Sequence, residues 1–248
     1  MESLRSKIRE APVTVALAGV LVVVFGLEVF FQATQRPELL ARFALSGEGL
    51  ARGYWWTIVT HVFLHANLLH LFVNVLGLWF VGPAVEFMFG RVRYLVIFLV
   101  SGVCGGLLQT AFSVPSAELV GASGSVCGLL LAFTTAYPDL PLRALLFFVL
   151  PVNMKARTLG LGLMVFSMVC ATLHIFPQIG HLAHLGGAIA GAFLSWLWIP
   201  SDRSRLAGAP PVSTDVLLER LAEEGIESLT REERKQLEDL ADQPRRAR

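Results

Sequence analysis

Charged residues are scarce in this chain and unevenly placed. Only 16% of its 248 residues are Asp, Glu, Lys or Arg, whereas soluble globular domains average about a quarter. Of the 39 charged residues, 20 lie after Pro200. The long stretch before Pro200 is mostly apolar and is divided by Pro, Gly and short polar clusters. We therefore expect it to lie in a membrane.

The chain also lacks the residue patterns of several common classes of site. Cys104, Cys127 and Cys170 fall inside predicted helices, without the spacing of a disulfide framework or a metal site. A net charge of +1 gives no sign of nucleic-acid binding. We therefore expect no metal site built from cysteines and no nucleic-acid partner.

Apolar runs near 20 residues long dominate the first four fifths of the chain. A run of that length as a helix crosses the ~30 Å hydrocarbon core of a bilayer. The first run is long for a signal peptide and lacks a convincing cleavage site. The predicted fold class is all-α, a polytopic membrane protein with a six-helix bundle over residues 13–200, preceded by a cytoplasmic segment at 1–12. The predicted spans are 13–32, 60–82, 93–113, 122–137, 158–176 and 181–199, of which the fourth is short.

Residues after 200 differ in composition from the bundle. Residues 201–212 are rich in Pro, Gly and Ser and are predicted to form a linker. Residues 213–248 are predicted to form a small cytoplasmic tail of two short helices, the second opened by a capping box of Thr230 and Glu233. Two such helices bury little core on their own. The tail is therefore expected to bind a cytoplasmic partner or to mediate self-association.

The distribution of Lys and Arg predicts the orientation of the bundle. Basic residues precede the first predicted span and follow the second, fourth and sixth. On the other side, one long loop holds Arg36, Arg42 and Arg52, and 114–121 and 177–180 contain none. Both termini are therefore predicted to be cytoplasmic, and the amino-acid usage favours a bacterial inner (plasma) membrane. In this orientation the polar clusters around His70, Ser123 and His184 all fall in the outer half of the bilayer.

Ser123 opens the fourth predicted helix within the sequence Gly121-Ala-Ser-Gly124. Most serines in membrane helices only bond a carbonyl one turn back. The flanking glycines let the backbone turn tightly and approach another chain. A serine at a helix start also has free N–H groups beside it, which suit a developing oxyanion. Since polar residues in hydrocarbon point to function, Ser123 is a candidate nucleophile.

His184 lies in a second glycine-rich apolar helix. Two pairs of small residues have the spacing that brings membrane helices together: Gly124 with Gly128, and Gly187 with Gly191. If these pairs pack against each other, Ser123 and His184 meet, and a neutral imidazole can take the serine proton. The alternative is that the glycines only pack helices and His184 is a satisfied interior polar group. No Asp or Glu lies near enough in sequence to complete a triad, so we predict a dyad.

His70 and Asn74 are spaced i, i+4 and share one face of the second predicted helix. The amide of Asn74 and the ring N–H of His70 can both stabilise an oxyanion. The alternative is interhelical hydrogen bonding, worth about 1 kcal/mol in membranes. His61 and His65, placed in the same predicted helix, are interpreted as structural. A metal site built from these histidines and His184 is weakly supported, because no carboxylate and no His-Glu-x-x-His pattern accompanies them.

Taken together, these motifs resemble the rhomboid family of intramembrane serine proteases, of the bacterial six-helix type with a short cytoplasmic C-terminal appendage. The resemblance covers roughly residues 55–199. It includes Gly-Ala-Ser-Gly at 121–124, His-Leu-Gly-Gly-x-x-x-Gly at 184–191, His70-x-x-x-Asn74, Trp79 to Gly82, and Ala84-Val85-Glu86.

The resemblance implies roles for particular residues. It implies Ser123 as nucleophile, His184 as general base, and an oxyanion site formed by the Ser123 N–H, Asn74 and His70. It further implies cleavage of single-span membrane proteins in or near their transmembrane segments, in the lipid bilayer and without a cofactor. Residues 33–56 would be the family's membrane-embedded first loop, and the active site would open to the outer face.

Two positions depart from the family pattern. Cys127 stands where members usually carry Tyr or Phe packed on the catalytic histidine, and Trp55-Trp56-Thr57 replaces the common Trp-Arg. Neither departure removes a reacting group, so an active enzyme is still expected. One alternative is a catalytically weak or inactive relative that binds membrane clients, which Cys127 favours. Another is a transporter or haem-binding bundle, for which the halves of the chain show no repeat.

Overall fold

The computed structural model describes residues 11–35, 42–146 and 150–199, with single residues of the tail. The chain divides into two compact units, residues 1–199 and 200–248. The elements of the first unit are α1 (Pro12–Ala33), α2 (Gly47–Ala51), α3 (Thr57–Thr60), a 3₁₀ turn (His61–Phe63), α4 (Leu68–Ala111), α5 (Ser123–Ala136), β1 (Pro141–Leu146), β2 (Leu150–Lys155), α6 (Ala156–Leu173) and α7 (His181–Trp198).

The second unit is described only at separate positions. Leu217 and Leu229 are buried within it, and Arg234 Nε donates to the carbonyl of Leu229 at 3.1 Å. The predicted linker at 201–212 and Thr230 of the predicted capping box lie outside the described residues. Most of the predicted N-terminal segment 1–12 does so too.

Helices of membrane-spanning character build the first unit. By length and composition α1, α4 and α6 can each cross a membrane, and α5 is a shorter apolar helix of 14 residues. α7 has 18 residues, among which two histidines and three glycines lower its hydropathy. Many large apolar side chains of α1 and α6 are exposed, as expected of surfaces that face lipid. The chain is thus a polytopic helical bundle, in agreement with the predicted fold class.

The 44-residue helix α4 contains two of the predicted spans. Its backbone breaks at Gly90, where φ is +75° and ψ is 165°. A side chain is strained at such a φ, so glycine suits the position. The two segments on either side of Gly90 correspond to the second and third predicted spans.

The predicted start of the second span, at residue 60, is wrong. Residues 61–63 form a 3₁₀ turn, and an extended link leads to Asn67, the N-cap of α4. The Asn67 side chain accepts a hydrogen bond from the His70 N–H at 2.9 Å, which satisfies one free donor of the helix start. His61 and His65 therefore lie before the helix that carries His70, and not on it.

The first turn of α1 is held by a carboxylate of α4. Glu86 is buried and accepts hydrogen bonds from the Val13 N–H at 3.0 Å, the Thr14 N–H at 2.8 Å and the Thr14 hydroxyl at 2.9 Å. The first N–H groups of a helix have no partner inside the helix, and its N-terminus favours negative charge. Glu86 therefore fixes the start of α1 on α4.

Glu86→Ala is expected to destabilise the bundle by about 1–3 kcal/mol, because it leaves these donors without an acceptor in a dry interior. Unfolding in detergent micelles measures the loss. Glu48→Ala is the control, since the Glu48 carboxylate is exposed and its ion-pair partner among the described residues is Arg52, at 3.4 Å. Equal stability of the two variants would contradict the role given to Glu86.

The connection between α5 and α6 contains a β-hairpin that the sequence analysis did not predict. β1 and β2 pair antiparallel, with Pro141 opposite Lys155 and Leu146 opposite Leu150. At its base, Lys155 lies 3.1 Å and Arg157 3.3 Å from the Asp139 carboxylate. The hydrogen bond from Lys155, helped by the charge of Arg157, lowers the pKa of Asp139. The described part of the bundle thus combines helices with this one hairpin.

Candidate active site

Ser123 and His184 meet where two helices begin. Ser123 is the first residue of α5, and His184 lies in the first turn of α7. The Ser123 Oγ and His184 Nε2 atoms are 2.9 Å apart, and both side chains are half-buried. The distance is that of a hydrogen bond in which the hydroxyl can donate to a neutral imidazole.

Glycine contacts between α5 and α7 set this distance. A Cβ at Gly187 would meet the carbonyl of Gly124, and a Cβ at Gly191 would meet the carbonyl of Gly128. The two helices therefore touch backbone to backbone, in the pairing that the glycine spacing predicted. Any side chain at Gly187 or Gly191 would push the helices apart, and with them the serine and the histidine.

The second half of α4 completes this interface, which the sequence analysis missed. A Cβ at Gly105 would meet the carbonyl of Ala183 in α7, and one at Gly128 of α5 would meet the side chain of Ser101. The missed signal was the spacing of small residues from Ser101 to Gly106, which matches that of the other two helices.

His70 packs against the loop that leads into Ser123. Gly121 has φ of +124°, and a Cβ there would lie 2.5 Å from the His70 Cε1 atom. Glycine is needed at this position both for the backbone and for the imidazole. The Gly121 N–H donates to the carbonyl of His61 at 2.9 Å, so the 3₁₀ turn before α4 anchors the same loop.

Asn74 lies one turn beyond His70 and is buried. Its Nδ2 donates to the carbonyl of His70 at 2.8 Å. An amide nitrogen carries two hydrogens, so this bond leaves one available.

His65, just before α4, packs its ring on that of His70 with centroids 5.2 Å apart. In the part of the chain that the structure describes, no three His, Cys, Asp or Glu side chains converge in a way that could hold a metal ion.

Comparison with known proteins places these elements in a family. The rhomboid domain family matches residues 52–201, which is more than half of the chain and contains every residue of the Ser123–His184 site. The chain belongs to the rhomboid family.

Named rhomboid relatives come from bacteria and plants. Rhomboid protease GluP of Bacillus subtilis is 35% identical over 172 residues, covering 68% of this chain and 31% of GluP. The rhomboid-family protein YdcA of the same organism is 27% identical over 206 residues, 82% of this chain and 97% of YdcA. RHOMBOID-like protein 1 of Arabidopsis thaliana is 31% identical over 144 residues. The chain spans about a third of the length of GluP and of the Arabidopsis protein.

Cys127 is the residue that the sequence analysis expected to replace the usual aromatic of the family. It is buried one turn after Ser123, in a cluster with Leu131 of α5 and Ala188 of α7. Its thiol thus fills part of the contact between α5 and α7.

His181 is a neighbour of His184 that the sequence analysis of this rhomboid missed. Its ring lies 6.1 Å from that of His184, nearly perpendicular at 86°. Its Nε2 atom is 2.9 Å from the carbonyl of Ile175, which ties His181 to the loop before α7. The spacing His181-x-x-His184 was the signal, because residues i and i+3 are neighbours on a helix.

Gln109 of α4 was also missed. Its Oε1 atom accepts hydrogen bonds from the N–H groups of Leu182 at 3.1 Å and Ala183 at 3.3 Å. These donors belong to the first turn of α7 and have no partner within that helix. Gln109 therefore fixes the start of α7 directly before His184.

Proposed function

We propose that this rhomboid is an intramembrane serine protease that hydrolyses peptide bonds in or near the transmembrane segments of single-span membrane proteins. The observation that carries the proposal is the 2.9 Å contact between Ser123 Oγ and His184 Nε2. The relative GluP is named a rhomboid protease, which supports the reaction class.

In the proposed reaction, Ser123 Oγ attacks the carbonyl carbon of the scissile bond while His184 Nε2 accepts its proton. The tetrahedral intermediate collapses as His184 returns that proton to the leaving amine, and an acyl-enzyme remains on Ser123. Water then attacks the ester, with His184 again taking a proton and giving it back to Oγ. A dyad suffices for these transfers, and no cofactor takes part.

In this proposal three groups donate hydrogen bonds to the oxyanion: the Ser123 N–H, the remaining amide N–H of Asn74 and the ring N–H of His70. Ser123 is the first residue of α5, so its N–H is among those without an intrahelical partner. His70 lies against Gly121, two residues before the nucleophile. Donors fixed by packing before the reaction stabilise the developing charge without reorganising.

Asn74→Ala is expected to lower kcat by about 10- to 1000-fold, as loss of one oxyanion donor does. KM should change little, because that donor acts on charge that forms only in the transition state. Cleavage kinetics in detergent or liposomes measure the effect. Cleavage at the wild-type rate would remove Asn74 from the oxyanion site.

The proposed setting is a bacterial inner membrane, with both termini cytoplasmic and the site open to the outer face. The bias of Lys and Arg towards the predicted cytoplasmic loops supports this orientation. The tail is proposed to bind a cytoplasmic partner or to mediate self-association. Unchanged proteolysis and oligomeric state after truncation at Ser201 would remove that role.

Labelling by a fluorophosphonate probe tests the function without a known substrate. The purified wild-type protein should become labelled on Ser123, and His184→Ala should not, because the hydroxyl then lacks its base. A rhomboid protease of known activity, labelled in parallel, controls for the conditions. A folded wild type that stays unlabelled would favour the client-binding alternative, and Cys127→Tyr would then test whether the missing aromatic ring is the cause.

A further inference from the structure

A carboxylate of α1 bonds the main chain next to the candidate site. Glu28 is half-buried within this membrane-length helix. Its Oε1 and Oε2 atoms each lie 3.1 Å from the main-chain nitrogen of His65. Both oxygens therefore accept a hydrogen bond from the same N–H. An ionisable group is costly in hydrocarbon and is generally retained there with a partner and a function. The proposed mechanism makes no use of Glu28.

The imidazole of His65 depends on its main chain for its position. The side chain is 3% exposed, and neither of its ring nitrogens has a hydrogen-bond partner among the described residues. The ring is therefore held by packing and by the backbone that carries it. Glu28 anchors this backbone by accepting the His65 N–H, two residues before the N-cap Asn67.

Contacts continue from His65 to the nucleophile. The rings of His65 and His70 meet edge to face, at 64°. His70 also packs against Gly121, in the loop before Ser123. A displacement of His65 would thus free the ring that is assigned to the oxyanion site.

We infer that Glu28 is a positioning residue, which holds His65 so that the His70 imidazole stays against Gly121. This inference rests on the proposed protease function, because its effect appears in the oxyanion site. Glu28 touches no reacting atom. Its contribution lies in the placement of a transition-state donor, for which a small displacement can cost about 100-fold in rate.

The test compares Glu28→Leu, Glu28→Gln and His65→Ala with the wild type. Glu28→Leu removes the acceptor and should lower kcat about 10- to 100-fold, with little change in KM. Glu28→Gln should retain most of the activity, because its amide oxygen can still accept the His65 N–H. Glu48→Leu is the control, an exposed glutamate removed in the same way. Thermal unfolding of each variant shows whether it is folded.

A double-mutant cycle tests whether the effect passes through His65. The variant Glu28→Leu/His65→Ala should be no slower than His65→Ala alone, because coupled residues are not additive. Additive losses would overturn the inference, as would wild-type kcat in His65→Ala or equal losses in the Leu and Gln variants at position 28. If Glu28→Leu does not fold, the kcat values of Glu28→Gln and His65→Ala still test the inference. Failure of the proposed function is distinct, since the wild type itself would then neither cleave nor label.

Discussion

Ser123→Ala is expected to lower the cleavage of a single-span membrane substrate by about 10⁴-fold or more, the effect of removing a serine nucleophile that works with its base. Only the Oγ atom and its 2.9 Å contact with His184 are lost. Ser123 is half-buried, and the helix contacts around it are made by glycine backbone. Folding should therefore be nearly unchanged. Cleavage assays in liposomes and thermal unfolding in detergent measure both quantities.

His184→Ala should give a loss of similar size, because the two residues act as one unit. The double variant should be hardly slower than either single variant. Loss of folding in Ser123→Ala would make its inactivity uninformative about catalysis. Substantial cleavage by folded Ser123→Ala would contradict the proposed nucleophile.

Gly187→Ala is expected to disturb both the packing of the bundle and the active site. The added methyl would meet the carbonyl of Gly124 at a distance that atoms do not tolerate, so α7 must move away from α5. Overpacking of this kind costs about 1–3 kcal/mol. The movement also separates Ser123 from His184. We therefore expect kcat to fall by more than the loss of folded protein explains. Unfolding and kcat, measured on one preparation, test both effects.

Gly162→Ala is the matched control for this variant. Gly162 also lies in a helix, but a Cβ there would meet nothing within 4 Å. Alanine should therefore be neutral or should stabilise by up to about 1 kcal/mol through helix propensity. If Gly187→Ala matched Gly162→Ala in stability and rate, the backbone contact would not be what sets the site.

The meeting of Ser123 with His184 could be anticipated because glycine spacing is a local pattern with a simple geometric meaning. Two helices that each carry small residues four apart can approach closely along those faces, and the polar residues beside them follow. The serine, the histidine and the glycines were all visible in short segments of sequence.

Other features depend on partners far apart in the chain. Glu28 bonds a backbone group 37 residues away, and no local pattern predicts that acceptor. The wrong start of the second span has a different cause. Apolar residues recur at short intervals from Ile58 to Phe72, so hydropathy cannot distinguish a buried turn from a helix. The start of the helix is set instead by the side chain of Asn67, which caps it.

Contact between the main chains of α5 and α7 also bears on how the protein should be studied. Side chains on the outer faces of the bundle must repack whenever lipid is exchanged for detergent, whereas glycine faces have no rotamers to change. The spacing of serine and histidine should therefore be largely independent of the amphiphile around the protein. Relative rates of variants measured in micelles should carry over to a bilayer, even where absolute rates differ because the substrate is presented differently.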